Sequence, residues 1–395
     1  MIRRREGPAE APSASLGFAG VSWSERCTVL VAVIVASLPA VMPAMVGAMA
    51  AQPGIGNEGA GYLVSINMAG IFTGTLVSAL THRRGSAKQR IVAGLLVMIL
   101  GNFMTIAASG MASLMIARLL SGVGEGFAAG VCFSLIAVSS RPGTTFAYYA
   151  AGQAVVGFIG MGSLPWLVAA SDWRAFYVVM TLVAVPALFL AGPATRHVPT
   201  EAAKSPKSRT ISSAGFVSLA LIFLFFSGMA LVWAFLQPIG EQHGLSLATI
   251  TGALASAAIA GFVGSLAAAL AADRLGDRSA ALIGMALVIA SAAGLCSGSG
   301  AAFVFGAWAL NFVWGFQYPF LFRMLARTDS GRGAAVTPMA TGIALSVGPA
   351  VGGAILAHAG LASACITFLF ITLGALLVCF GRSSSAVPLA LLEQS

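Results

Sequence analysis

The chain repeatedly runs for about 20 residues with little or no charge, turns through a short polar segment, and runs apolar again. A bilayer core about 30 Å thick needs a helix of about that length. Only 8% of the residues are charged, against 58% hydrophobic, where a soluble domain carries about 25% charge. Too few polar groups exist to cover a globular surface, so the solvent of this chain is largely lipid, and a soluble enzyme is excluded. The 47 glycines agree, because small residues let membrane helices approach closely.

Twelve spans are predicted, at 27–50, 59–81, 91–109, 111–138, 146–170, 175–194, 214–240, 247–272, 279–297, 301–325, 335–360 and 361–380. The short loops set their orientation. Arg3, Arg4, Arg5 and Arg26 precede span 1; Arg83, Arg84, Lys88 and Arg90 follow span 2; Arg141 follows span 4. Arg196, Lys204, Lys207 and Arg209 follow span 6, Arg274 and Arg278 span 8, Arg327 and Arg332 span 10, and Arg382 span 12. With twelve spans all of these share one side, leaving Arg174 on the other. A missed span would scramble that order. Both termini are therefore expected in the cytoplasm, with the chain in the inner or plasma membrane, and the net charge of +9 needs no nucleic acid to explain it.

The longest polar loop divides the chain into an expected tail (1–25), a first six-span bundle (26–194), a linker (195–213), a second bundle (214–381) and a tail (382–395). The two bundles are related by a repeat. At a constant offset, Ala69, Gly70, Arg83 and Gly85 meet Ala260, Gly261, Arg274 and Gly276, and Gly61 meets Gly252. The expected fold is an all-α membrane protein with twelve transmembrane helices in two pseudo-symmetric six-helix bundles. Many secondary transporters share that plan, with the solute site between the halves.

Particular motifs carry a family resemblance over nearly the whole chain. "ADRLGDR" at 272–278 is similar to the G-x-L-a-D-r-x-G-r-r loop of the major facilitator superfamily. The first-half copy keeps Leu80, Arg83 and Gly85 but has His82 in place of the usual Asp. "RLLSGVGEG" resembles the R-x-x-x-G motif of span 4 at Arg118 and Gly122, and "DWRAFY" at 172–177 resembles the opening of span 6. "GPAVGG" at 348–353 is similar to an antiporter motif of span 5 but falls in span 11. The resemblance implies a transporter that works by alternating access. The residues of the repeated loop (Asp273, Arg274, Gly276, Arg278, His82, Arg83 and Gly85) then form its cytoplasmic gate. On physical grounds Asp273 and Arg274 can bond helix ends, since acid is favoured at a helix N-terminus. Gly276 is expected to supply backbone freedom in the turn, and His82 offers a pH-sensitive group. Simple anchoring at the headgroups is the other reading of this loop.

Span 4 carries Arg118 and Glu125. With Ser121, Gly122, Ala129 and Cys132 they fall on one helical face, expected to point into the bundle. Each mid-membrane charge costs about 2.5–3.5 kcal/mol, while an apolar residue returns about 0.3–0.6 kcal/mol. Such an expense points to function. Seven residues rise about 10.5 Å along a helix, so Glu125 is expected to find a partner on another helix, meet water, or take up a proton. The readings are proton coupling by Glu125 with Arg118, a fixed structural pairing, or direct binding of an anionic solute by Arg118.

Asn67, Tyr149, Gln153, Trp233, Gln237, Asn311, Trp314, Gln317 and Tyr318 are the expected lining of a mostly apolar substrate cavity. The last four fall near one helical face. Pro39, Pro43, Pro165 and Pro349 are expected to kink their spans. The five cysteines form no CxxC and are read as small apolar residues, with no metal site and no disulfide framework. No G-x-x-x-x-G-K-[ST] stretch fits an ATP-driven pump, and no HExxH or G-x-S-x-G fits an intramembrane enzyme.

The expected protein is thus no enzyme. It is a monomeric secondary transporter of a small amphipathic organic solute, such as a monocarboxylate or an aromatic compound. It needs no cofactor beyond the proton as coupling ion, and its partners are the solute and the lipid bilayer. The alternatives are an uncoupled facilitator and a multidrug/proton antiporter.

Overall fold

The computed structural model describes residues 21–82, 84–196, 212–271, 274–328 and 332–385, and these are all-helical apart from turns and loops. The first span is three helices in line, α1 (Trp23–Val35), α2 (Ser37–Ala40) and α3 (Met42–Ala50). Then follow α4 (Gly56–Leu80), α5 (Ala87–Ala107), α6 (Met111–Ala137), α7 (Pro142–Ala170) and α8 (Ala175–Ala194). The seventh span is again broken, into α9 (Ser213–Trp233) and α10 (Leu236–Gln242). The rest are α11 (Leu247–Ala271), α12 (Asp277–Cys296), α13 (Gly300–Thr328), α14 (Arg332–His358) and α15 (Gly360–Ser385). Ten of these helices are long and apolar enough to cross a membrane. The broken first span and α13, whose 29 residues include Asn311, Gln317 and Arg323, complete twelve. The first helix begins at Trp23, inside the expected tail, and α15 runs past the expected end of the second bundle.

Proline accounts for the break between α1 and α2 and for that between α9 and α10. Its ring clashes with the carbonyl four residues earlier and donates no hydrogen bond. Counting back from Pro39 gives Val35, where α1 ends, and from Pro238 gives Ala234, just past the end of α9. Pro165 lies inside an uninterrupted α7, so that expected kink does not break its helix.

The repeat extends to whole elements. Helices α4 and α11 have 25 residues each and coincide end to end at an offset of 191. Their packing repeats as well, α4 against α6 and α11 against α13. A Cβ on Gly70 or Gly74 would meet the backbone of α6, and one on Gly126 the backbone of α4. A Cβ on Gly264 would likewise meet the backbone of α13. The halves meet along α4–α14 and α7–α11. At the ends remote from the basic loops, Gly61 packs on Pro349 and Gly353, Gly47 on Gln237, and Glu58 accepts from or pairs with His358 at 3.0 Å. "GPAVGG" therefore forms a packing strip, Gly348 and Gly352 lying against α9 and Gly353 against α4.

Two expectations need correction. Gly85 has φ +73°, the left-handed region that favours glycine. Its counterpart Gly276 has φ −69° and ψ 157° as the N-cap of α12, extended backbone that other residues adopt. The turn therefore does not demand glycine there. Likewise, the cysteines are not all isolated small residues, since Cys296 and Cys365 face each other with their Cα atoms 7.2 Å apart. The pair stands where α12 and α15 pack together at the ends remote from the basic loops, an adjacency that a sequence separation of 69 conceals.

Gly126→Val should abolish monodisperse protein on size-exclusion chromatography, because the added carbons meet α4 backbone. Gly252→Ala, with nothing within 4 Å of its Cβ, should run as the parent.

Candidate functional site

The polar face of α6 is buried as its spacing requires. Arg118, Ser121, Gly122, Glu125, Ala129 and Cys132 are all inside, while Leu119 is exposed. Arg118 is completely enclosed. Its Nη1 donates to Asn102 Oδ1 of α5 at 3.0 Å and reaches Thr105 Oγ1 at 3.5 Å. Its Nη2 donates to Asn67 Oδ1 of α4. The guanidinium carbon sits 4.7 Å from the ring centroid of Tyr177 on α8, a cation–π contact. Tyr177 in turn donates to Met49 Sδ of α3 at 3.2 Å. One arginine thus ties together polar or aromatic groups from α4, α5, α6 and α8.

Glu125 does not need another helix for its partner. Its Oε1 lies 3.6 Å from Arg118 Nη2, an ion pair just beyond hydrogen-bond length. The Cα–Cβ bond of Glu125 leans toward the N-terminus of α6, and two long side chains close the two-turn gap. That corrects the expectation drawn from helical rise alone. Ser121, one turn away, stands 3.0 Å from both Glu125 Oε1 and Asn102 Oδ1.

A serine hydroxyl has one proton to donate, so it serves one of those acceptors at a time. With Glu125 ionised, Ser121 donates to the carboxylate, and Asn102 keeps the bond from Arg118. With Glu125 protonated, the carboxyl can donate to Ser121, which then donates to Asn102. The same heavy-atom positions accommodate both protonation states. Glu125 Oε2, Asn67 Nδ2 and Arg118 Nε are buried and make no hydrogen bond. Asn102, Thr105 and Tyr177 were not singled out by sequence reasoning. The signal available was a polar residue inside an apolar run, as in "LGNFMTIA", and for Tyr177 its place in "DWRAFY".

The expected cavity residues divide. Asn67 belongs to the Arg118 cluster within the first half. Gln153 Nε2 donates to Val33 O near the end of α1 at 3.2 Å, and Trp233 Nε1 donates to Pro39 O at 3.4 Å, joining the two halves. Gln237 is buried on Gly47 and donates to Glu241 at 2.9 Å. Tyr149 meets Phe133 of α6 edge-on at 5.1 Å. The four residues of α13 do not share a face. Trp314 and Tyr318 pack on Phe226 of α9, whereas Gln317 turns to Gly284 of α12, and Asn311 donates to Ala307 O of its own helix. Residues 314 and 318 are one turn apart, but 317 is rotated about 100° from 318.

At the gate loops, Asp273 and Arg83 lie outside the described residues. His82 Nδ1 is 3.0 Å from Ala79 O, Arg274 is exposed, and Arg278 stacks over Phe380 at 5.3 Å. A further acid in the loop, Asp277, pairs with Arg323 of α13, whose Nε donates to it at 2.8 Å. In the first half Arg90 of α5 donates to Ser78 Oγ of α4 at 3.0 Å. Each tie stays within one half. "DWRAFY" also has a local role, since Arg174 donates to Ile106 O at 2.9 Å and to Ala108 O at 3.3 Å, fastening α8 to the α5–α6 turn.

Removing one partner of a buried ion pair costs about 3–5 kcal/mol. Arg118→Met should therefore lower the melting temperature sharply, and adding Glu125→Gln should restore part of the loss. Strictly additive losses in that double-mutant cycle would show that the two side chains are not coupled.

The family profile described as Major Facilitator Superfamily matches residues 27–323. No curated protein sequence matches the chain. Among solved structures, a D-xylose-proton symporter aligns with a TM-score of 0.68 at 13% identity, covering 91% of this chain and 97% of that one. A bacterial homologue of the human lysosomal transporter Spinster, in an inward-facing and unoccupied conformation, aligns with a TM-score of 0.56 at 16% identity, covering 92% and 94%. At these identities the structural likeness speaks for the fold alone, but the profile covers most of the chain, and the protein belongs to the Major Facilitator Superfamily.

Proposed function

We propose that the chain is a proton-coupled secondary transporter that moves a small amphipathic organic solute by alternating access. Glu125 takes up and releases the coupling proton, and Arg118 positions it. The observation that carries this reading is the Ser121–Asn102–Glu125 arrangement, which accommodates a charged and a neutral carboxyl without moving a heavy atom. A carboxyl that served structure alone would be cheaper as an amide in the membrane. The two similar structures are those of a proton symporter and of a homologue of a lysosomal transporter, in keeping with the same mode of action here.

The expectation of an anionic solute held by Arg118 loses its support, because that guanidinium is enclosed and its Nη groups are engaged. The aromatic groups Tyr149, Trp314, Tyr318 and Phe226 favour an uncharged aromatic solute over a monocarboxylate. The close contact of α3 with α10, and of α4 with α14 at Gly61, supports a state closed on the side remote from the basic loops. That side is the exterior if both termini are cytoplasmic. In a cysteine-free background, Ser299→Cys should then react with an impermeant maleimide applied outside cells, and Ser86→Cys should not. The reverse pattern would invert the orientation.

Transport in liposomes tests the coupling, using radiolabelled aromatic monocarboxylates, neutral aromatic glycosides and D-xylose as probes. For the probe that the parent accumulates against its gradient, Glu125→Gln should lose proton-driven accumulation at least tenfold and keep solute counterflow. Undiminished accumulation would return Glu125 to structural pairing.

A further inference from the structure

We propose that the proton site spans two helices, with Asn67 of α4 as its positioning residue, and that a carboxyl at position 67 can replace the one at 125. This inference rests on the reading of Glu125 as the proton carrier. Asn67 is wholly buried, an amide in the middle of a membrane helix. Its Oδ1 accepts from Arg118 Nη2, the same nitrogen that lies 3.6 Å from Glu125 Oε1. One guanidinium nitrogen therefore faces two acceptors, one from each helix. The backbones are close enough for this because Gly122 has no side chain: a Cβ there would meet Asn67 O. Asp has nearly the shape of Asn, so a carboxylate at 67 would take the position of Oδ1 beside Arg118.

The placement also gives the proton a route to the other half. Among its extensive packings α6 touches only helices of its own half, whereas α4 packs along α14. Gly61, six residues before Asn67 and about 9 Å away along the helix, sits on Pro349 and Gly353. An ionised Glu125 shares Arg118 with Asn67. A protonated one leaves Arg118 to Asn67 and Asn102, which changes the load on the helix that forms the contact between halves. The chemical step is proton transfer alone, carboxylate plus proton giving carboxylic acid, with water on either side as donor and acceptor. The groups facing the site are Arg118, Ser121 and Glu125 of α6, Asn67 of α4, Asn102 and Thr105 of α5, and Tyr177 of α8. From α1, Val31, Ala32 and Val35 join Ala128, Ala129 and Cys132 of α6 in one apolar cluster, and from α7 the titratable Tyr149 meets Phe133 of α6 edge-on.

The test needs no solute. Spin labels at Ser86→Cys and Arg278→Cys, on the basic ends of the two halves in a background without other cysteines, report the inter-half distance by pulsed electron resonance. Measurements are made in lipid nanodiscs from mildly alkaline to mildly acidic pH. The parent distance distribution should shift with pH, and Glu125→Gln should be flat. Asn67→Asp/Glu125→Gln should regain most of the parent shift, while Asn67→Leu should lose it with Glu125 intact. A double variant that folds, by its melting temperature, and stays flat overturns the two-helix site. So does an Asn67→Leu protein that shifts as the parent does. A Glu125→Gln protein that still shifts with pH would instead sink the reading of Glu125 as carrier, so the two failures are distinguishable.

Discussion

The enclosed guanidinium of Arg118 is the group on which the first half depends. A charge with no access to water is tolerable only where hydrogen bonds and an opposite charge replace hydration. Here Asn67, Asn102, Thr105, Glu125 and the face of Tyr177 do so, and they come from four helices. Those helices cannot separate without stranding the charge. The same enclosure decides what the arginine can do, because a side chain so fully committed is a poor receptor for a solute and a good holder of a carboxyl.

Close helix packing makes that enclosure possible. Lipid supplies no hydrophobic drive for helix association, so contact area and small residues carry the packing. Gly70, Gly74, Gly122 and Gly126 bring α4 and α6 to backbone contact at the level of the polar cluster. Proline acts in the opposite sense, breaking the first and seventh spans so that α3 and α10 can lean together. The strip Gly348–Gly353 on α14 serves α4 and α9 at once, so the helix that carries Asn67 also forms a contact between the halves.

Much of this was readable in the residues because membrane helices obey simple rules. Long apolar runs gave the spans, and the match of Ala69 with Ala260 foreshadowed two helices that coincide end to end. The buried stripe of α6 followed from helical spacing. What was not legible depended on side-chain reach and tertiary placement. Rise per residue separated Arg118 from Glu125, whereas rotamers joined them. Asn102 and Tyr177 stand far from Arg118 in sequence. Gln317, rotated about 100° from Tyr318 along α13, meets α12 while Trp314 and Tyr318 meet α9, and which helix lies against each face of α13 is set by tertiary packing. The approach of Cys296 to Cys365 needed α12 and α15 to be neighbours, and no spacing rule states that.

The central claim is that Glu125 changes its protonation within an otherwise intact helix bundle. Infrared difference spectroscopy of the protein in lipid, recorded as the pH is cycled, reads this directly through the carbonyl band of a protonated carboxylic acid. The account predicts a band that grows reversibly on acidification, shifts on exchange into heavy water, and is missing in Glu125→Gln. An identical titrating band in Glu125→Gln, or a parent whose Glu125 never changes protonation across the range in which it transports, would contradict it.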